Sequence, residues 1–270
     1  MASAASLQEQ IVGASEDELQ KFFETLSEAD RSKFLLAVAT ASWTDGFGVC
    51  GRFASKDPVE TTKLVLADAK IQVKEEVGAP WMTVMGHPRA PEAEKDKLFW
   101  VAAFHSKEVY HTEHTNRPSN KTFVSELMAT CATGNPIVDM NGTYRGAMYY
   151  MEKPEAKNPG TVYVALSTWK TKDAESAQKL LDMLQIDTAK SMETEAELLQ
   201  CVLFPTALLG GDLPDGAPRD DRTVQMVQVF KSDVLKTVQS MTSADKWKDL
   251  MEDPGKDYMV LEFEAQHFTK

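Results

Sequence analysis

The sequence predicts an α+β protein: two tandem strand-helix-strand-strand-helix-strand repeats packed sheet to sheet, behind an N-terminal helix. Three observations carry this. The order of apolar runs and amphipathic stretches read across 34–153 begins again across 161–270. Residues repeat as well as elements. The same spacing of 126 separates Trp43 from Trp169, at the ends of VATASW and VALSTW, and Phe104 from Phe230, in WVAAFHS and MVQVFKS. FVSELM (123–128) likewise answers WKDLM (247–251), and Tyr144 answers Tyr258 at the start of each last strand. Four agreements in one order point to internal duplication.

The elements follow in order. Residues 1–14 read as a small-residue leader. Ser15-Glu16-Asp17-Glu18 is a capping box, and Leu19, Phe22, Phe23 and Leu26 repeat behind it at helical spacing. Residues 1–33 are therefore a leader and an amphipathic helix, which covers a sheet or docks on a partner. Phe34–Trp43 reads as the first strand, although its alanines keep a helix open. Asp45-Gly46-Phe47-Gly48 has turn chemistry. Asp57 caps a helix over 59–77, with Pro58 at the position where a missing N–H is harmless. Trp81–His87 is a short strand, 88–97 a solvated hairpin loop, and Leu98–Phe104 a strand apolar throughout. The chain then turns polar at His105-Ser106-Lys107 and enters a helix bearing His111 and His114, which at this spacing share one face. Tyr144–Met151 closes the first repeat. Lys153–Gly160, with two prolines and a glycine, is a linker. In the second repeat strands fall at 162–169, 198–204, 223–230 and 258–268, with helices at 174–193 and over most of 232–251.

Each repeat has the ferredoxin-like (βαββαβ) order, a four-stranded sheet with helices on one face only. The bare apolar faces must be covered, and two repeats in one chain can cover each other as an intramolecular pseudo-dimeric α+β barrel.

Composition bounds the function. The chain has 270 residues, 43% of them hydrophobic and 26% charged, as in an ordinary globular protein. A formal net charge of −12 argues against nucleic-acid or anionic-membrane partners, which demand a basic surface. Cys50, Cys131 and Cys201 are far apart and odd in number, so they read as reduced thiols of a cytoplasmic protein. The first residues show no basic or apolar targeting region. The expected state is a monomer, internally a pseudo-dimer, or a weak homodimer.

Chemistry concentrates at 98–128. His105, His111 and His114, three of five histidines, fall within ten residues directly after a strand. Histidine titrates near neutrality and suits a general base. With Glu108 and Glu113 they lack zincin spacing, so no metal is assigned. Neither a phosphate-cradling glycine motif nor a G-x-S-x-G elbow occurs, and no cofactor is called for.

Phe104, Ser106-Lys107-Glu108, His114, the loop 115–120, Phe123 and Leu127 together resemble the antibiotic biosynthesis monooxygenase (ABM) family of the dimeric α+β barrel superfamily. That family's third strand ends in an aromatic, followed by a charged turn and a helical histidine. The resemblance covers roughly 34–153 and 161–270, and the first half fits better, since Ser240 stands in the place of His114. It implies a small aromatic compound held between sheet and second helix and oxidised by oxygen without metal or flavin. On this resemblance His114 is the base, with His111 one turn earlier and Tyr144 as an orienting hydroxyl. Trp43, Trp81, Trp100, Phe104 and Phe123 would line the pocket. Phe104 stands where many members carry tryptophan, and the expected first strand lacks the asparagine of haem-degrading members, which argues against haem degradation.

Three functions stand side by side. The first is a cofactor-independent monooxygenase acting on a small phenolic, quinol or polyketide-type compound. The second is a non-catalytic binder of a pigment, haem or lipophilic metabolite. The third is a structural pseudo-enzyme whose pockets are filled by side chains such as Trp81 and Trp100.

Overall fold

In the computed structural model, residues 15–76, 81–88, 97–135, 144–157, 160–205, 221–233, 247–256 and 258–269 are described. Helices α1 (Glu16–Thr25) and α2 (Glu28–Ala41) precede strand β1 (Thr44–Ala54). Then come α3 (Pro58–Glu75), β2 (Trp81–Pro88), β3 (Lys97–Phe104), a short turn with a π-helix over Tyr110–Thr115, α4 (Pro118–Ala129) and β4 (Tyr144–Glu152). The second half holds β5 (Gly160–Lys170), α5 (Ala174–Thr194), β6 (Leu198–Phe204), β7 (Thr223–Phe230) and β8 (Tyr258–Thr269).

The eight strands close into one antiparallel barrel in the order β1-β3-β2-β8-β5-β7-β6-β4. Each half contributes four adjacent strands, β4-β1-β3-β2 and β8-β5-β7-β6, and the halves meet along two seams, β2 with β8 and β4 with β6. Where two facing sheets were expected, the strands of both halves are joined edge to edge in one closed sheet. One buried cluster draws on both halves and on no long helix: Cys50, Phe99, Val101, Tyr144, Met148, Val164, Phe204 and Val227 are among its members, and they fill the barrel. The alternate residues of the same strands face outward under helices. Leu98, Trp100, Ala102 and Phe104 lie in the layer covered by α3 and α4, whereas Trp169, Met226 and Phe230 pack beneath α5.

The first strand is displaced from its expected place. Phe34–Trp43 is not a strand; most of it belongs to α2, the alternative its alanines left open. β1 begins at Thr44 and runs through the glycines read as a turn. A Cβ at Gly48 would lie 2.6 Å from the Met148 sulfur and 2.7 Å from the Phe204 ring, and one at Gly51 would enter the Trp100 indole. These glycines admit large side chains over the strand. The Trp43/Trp169 match consequently fails, since Trp43 precedes β1 while Trp169 lies within β5. Phe104 and Phe230 do correspond: each ends its strand, and they pair with Phe47 of β1 and Tyr163 of β5.

Other elements stand close to expectation. Glu18 accepts from the Ser15 N–H at 2.9 Å, Asp57 caps α3 through the Glu60 N–H, and Asp173 caps α5 through the Ser176 N–H. The expected linker is pinned where described: Lys153 donates through its backbone to Leu199 and through Nζ to Glu195, and Ala156 is buried. The stretch 88–97 lies mostly, and the helix over 232–251 largely, outside the described residues, as does Ser240. Leu19, Phe22, Phe23 and Leu26 of the N-terminal stretch pack on Phe34 and Ala37 of α2, and α2 lies on α5. Among the described residues no helix is long and apolar enough to cross a membrane.

Candidate functional site

After β3 the Ser106 hydroxyl accepts from the Val109 N–H and starts a helical turn, which widens into the π-helix Tyr110–Thr115. π-turns are rare and frequent at functional sites. Two side chains echo its longer reach: the Thr115 hydroxyl donates to the Tyr110 carbonyl, and the Asn116 amide donates to the His111 carbonyl at 2.9 Å. Rings four residues apart share a face on this turn. His111 and His114 were expected to do so; instead Tyr110 and His114 stack, centroids 5.4 Å apart and planes 25° apart, while His111 meets the Tyr110 ring at 65°. Phe104, at the end of β3, lies 5.2 Å from the His114 ring and 5.1 Å from Tyr110.

His114 is fixed by charge from the opposite helix. Its Nδ1 lies 3.0 Å from Glu76 Oε1, just past the end of α3. The same oxygen lies 2.9 Å from Arg117 Nε, and Arg117 Nη2 donates to Asp68 Oδ1 at 2.7 Å. The side chains of Glu76, Arg117 and Asp68 are only 1%, 3% and 5% exposed, whereas His114 is 20% exposed. A carboxylate only accepts, so in the neutral ring Nδ1 carries the proton and Nε2 keeps the lone pair. Burial raises the Asp68 carboxyl above its usual range even against the pull of Arg117. The geometry thus yields an imidazole oriented by Glu76 and stacked on aromatics, with its Nε2 turned away from that carboxylate.

The structure gathers some expected residues and disperses others. His114, His111, Phe104, Trp100 and Phe123 share one layer, in which Phe104 is fully buried, Trp100 lies over Gly51, and Phe123 packs from α4. Tyr144 lies across the sheet, in the barrel cluster, where its hydroxyl donates to the Ala147 carbonyl at 2.7 Å. Trp43 belongs to the layer under α5, and its indole donates to the Gln185 carbonyl. The Trp81 backbone pairs with Ala103 and Thr269, and its side chain lies outside the described residues.

Tyr110, Glu76, Asp68 and Arg117 were not anticipated, nor was Arg145, which donates to the Tyr110 hydroxyl at 3.3 Å. A signal existed for the carboxylates. Thr61, Val65, Asp68, Ala69 and Gln72 form the buried stripe of α3, so ionisable and polar residues stand where the helical period demands core. Among the described residues no group of three or more histidine, cysteine or acidic side chains could hold a metal ion.

No protein-family model and no curated protein matches the chain. Solved structures do. A candidate monooxygenase from Lactobacillus acidophilus aligns at 13% identity and TM-score 0.56, over 84% of this chain and 96% of that one. Another, from Fusobacterium nucleatum, aligns at 12% and 0.58, over 84% and 95%. An anthrone oxidase-like protein aligns at 11% and 0.49, over 83% and 93%. At such identities the likeness shows the fold alone: a mixed α+β architecture with a closed antiparallel sheet and helices outside it.

Proposed function

We propose that the chain is a cofactor-independent monooxygenase-like enzyme for a small phenolic, quinol or polyketide-type compound, with its site beside His114. The observation that supports it is the His114–Glu76 pair, 3.0 Å apart on a π-turn and stacked against Tyr110 and Phe104. Glu76 orients the ring, and Nε2 takes a proton from an electron-rich substrate. The resulting carbanion or phenolate reacts with oxygen directly. For an activated methylene the balance is R2CH2 + O2 → R2CO + H2O, so the substrate supplies all the electrons. We also read the two four-strand runs as tandem ferredoxin-like repeats, a reading supported by their matching orders, β4-β1-β3-β2 and β8-β5-β7-β6.

The test is oxygen uptake with a panel of quinols and anthrone-type phenols. His114→Ala should lower turnover by about 10² to 10⁴ fold, the usual contribution of a positioned base. Glu76→Gln should lower kcat by about 10 to 100 fold and leave KM nearly unchanged, because it disturbs orientation rather than contact. Full activity in His114→Ala would sink the assignment.

One observation favours a second reading, a protein without turnover. Arg117 ties Asp68 and Glu76 together in nearly complete burial, which suits a structural clasp between α3 and the start of α4. In that case the panel shows no uptake, and His114→Ala changes only stability.

A further inference from the structure

The seam between α3 and α4 holds more hydrogen-bonding capacity than its ion pairs use. Gln72 sits on the buried stripe of α3, one turn after Asp68 and one before Glu76, and is 1% exposed. Among the described residues neither its amide oxygen nor its amide nitrogen has a hydrogen-bond partner. Arg117 Nη2 donates to Asp68 and its Nε lies 2.9 Å from Glu76 Oε1, so its guanidinium spans the turn that Gln72 occupies; the Nε contact is an ion pair without a hydrogen bond, and Nη1 likewise has no hydrogen-bond partner among the described residues. Asn120, in the first turn of α4 with its N–H on the Arg117 carbonyl, is buried with Oδ1 unsatisfied. Buried polar atoms in folded proteins are nearly always bonded, so these five unsatisfied atoms of Gln72, Arg117 and Asn120 on neighbouring turns mark a place where a polar group belongs.

We propose that this seam binds one edge of a small neutral aromatic ligand, an edge carrying a carbonyl acceptor beside an O–H or N–H donor. Gln72 Nε2 and Arg117 Nη1 would donate to the carbonyl, while Gln72 Oε1 and Asn120 Oδ1 would accept from the donor. Charge argues against an anion here, because Asp68 and Glu76 already outnumber Arg117. Glu76 Oε1 touches both Arg117 and His114, so one carboxylate separates the seam from the basic imidazole, and the exposed part of His114 gives the approach. The inference deepens the oxygenase reading of the same site and borrows from it only the aromatic character of the ligand.

The test is calorimetric titration of the full chain with 2-quinolone and with N-methyl-2-quinolone, unreactive probes that differ in one donor. The unmodified protein should bind 2-quinolone about tenfold tighter, the value of one well-placed hydrogen bond. Gln72→Leu should erase that preference. Equal affinity for the two probes, no binding of either, or a preference retained in Gln72→Leu each overturn the proposal. The first comparison needs no variant, so it decides the matter even if Gln72→Leu fails to fold. Oxygen uptake is measured separately: a probe preference without turnover keeps the seam and removes the oxygenase, and the reverse result does the opposite.

Discussion

The helical layers over the two halves of the barrel share a frame and differ in chemistry. Counted from their capping aspartates, Asp57 and Asp173, α3 and α5 bury the same stripe. Thr61, Val65, Asp68, Ala69 and Gln72 in α3, with Glu76 beyond it, stand where α5 and its end carry Ala177, Leu181, Leu184, Gln185, Thr188 and Met192. Two carboxylates in one layer are therefore leucine and methionine in the other. The strands beneath differ in the same way. Gly51 pairs with Trp100 across β1 and β3, and in the same register Ser167 pairs with Met226 across β5 and β7. Among the described residues, the second layer packs this stripe without charge. The ion pairs of the first layer are thus not required by the architecture, which is why we assign them a function.

That contrast can be broken most severely at Arg117. Arg117→Met removes the guanidinium that Asp68 and Glu76 share in burial and should cost about 3–5 kcal/mol in urea unfolding, because breaking one side of a buried pair is far worse than keeping it. Adding Asp68→Leu and Glu76→Met copies the second layer and should recover most of that loss while abolishing any turnover. If Arg117→Met alone is neutral, the charged seam carries no structural weight.

A smaller effect is expected at the glycine under the indole. Gly51→Ala should cost about 1–3 kcal/mol by thermal unfolding, since the new methyl meets the Trp100 ring. Ser167→Ala, the equivalent change in the second layer, should be neutral or slightly stabilising, because the buried Ser167 hydroxyl has no partner among the described residues. Equal costs at the two positions would show that the layers do not differ in packing.

The smallest effect is on pH dependence. Burial holds the folded Asp68 carboxyl above its ordinary value of 3.8, so between that value and the raised one the folded state binds more protons than the unfolded state. The contribution of Asp68 to stability therefore falls as pH rises through this window. Asp68→Asn should flatten that segment of the curve, and superimposable curves for the two proteins would remove the argument.

Much of the frame was legible in the sequence, and the exceptions have physical causes. Leu198–Phe204 and Thr223–Phe230 are mostly apolar runs, broken only by Gln200, Gln225 and Gln228 behind Thr223, and the structure reproduces their bounds. β1 was missed because TDGFGVCGRFA is glycine-rich, and glycine ordinarily weakens a strand; its glycines instead receive Met148, Phe204 and Trp100 from elsewhere in the chain. His114 and Phe104 were legible as a pair near in sequence. Glu76 and Arg117 were not, because their partners lie 38 and 49 residues away, and no local pattern records such pairings. Tyr110 and His114, four residues apart, would share a face on an ordinary helix as well as on the π-turn, so their stacking was within reach of spacing alone.

The two seams that close the barrel have a consequence beyond stability. A barrel closed by two identical chains carries every residue twice, so a charge introduced under one helix is also introduced under its symmetry mate, and the desolvation cost is met at both places. Here one chain supplies both β2–β8 and β4–β6. Each helical layer can change without its counterpart. An acid-and-base cluster can occupy one side while Leu184 and Met192 fill the matching positions on the other. The molecule is free to be lopsided.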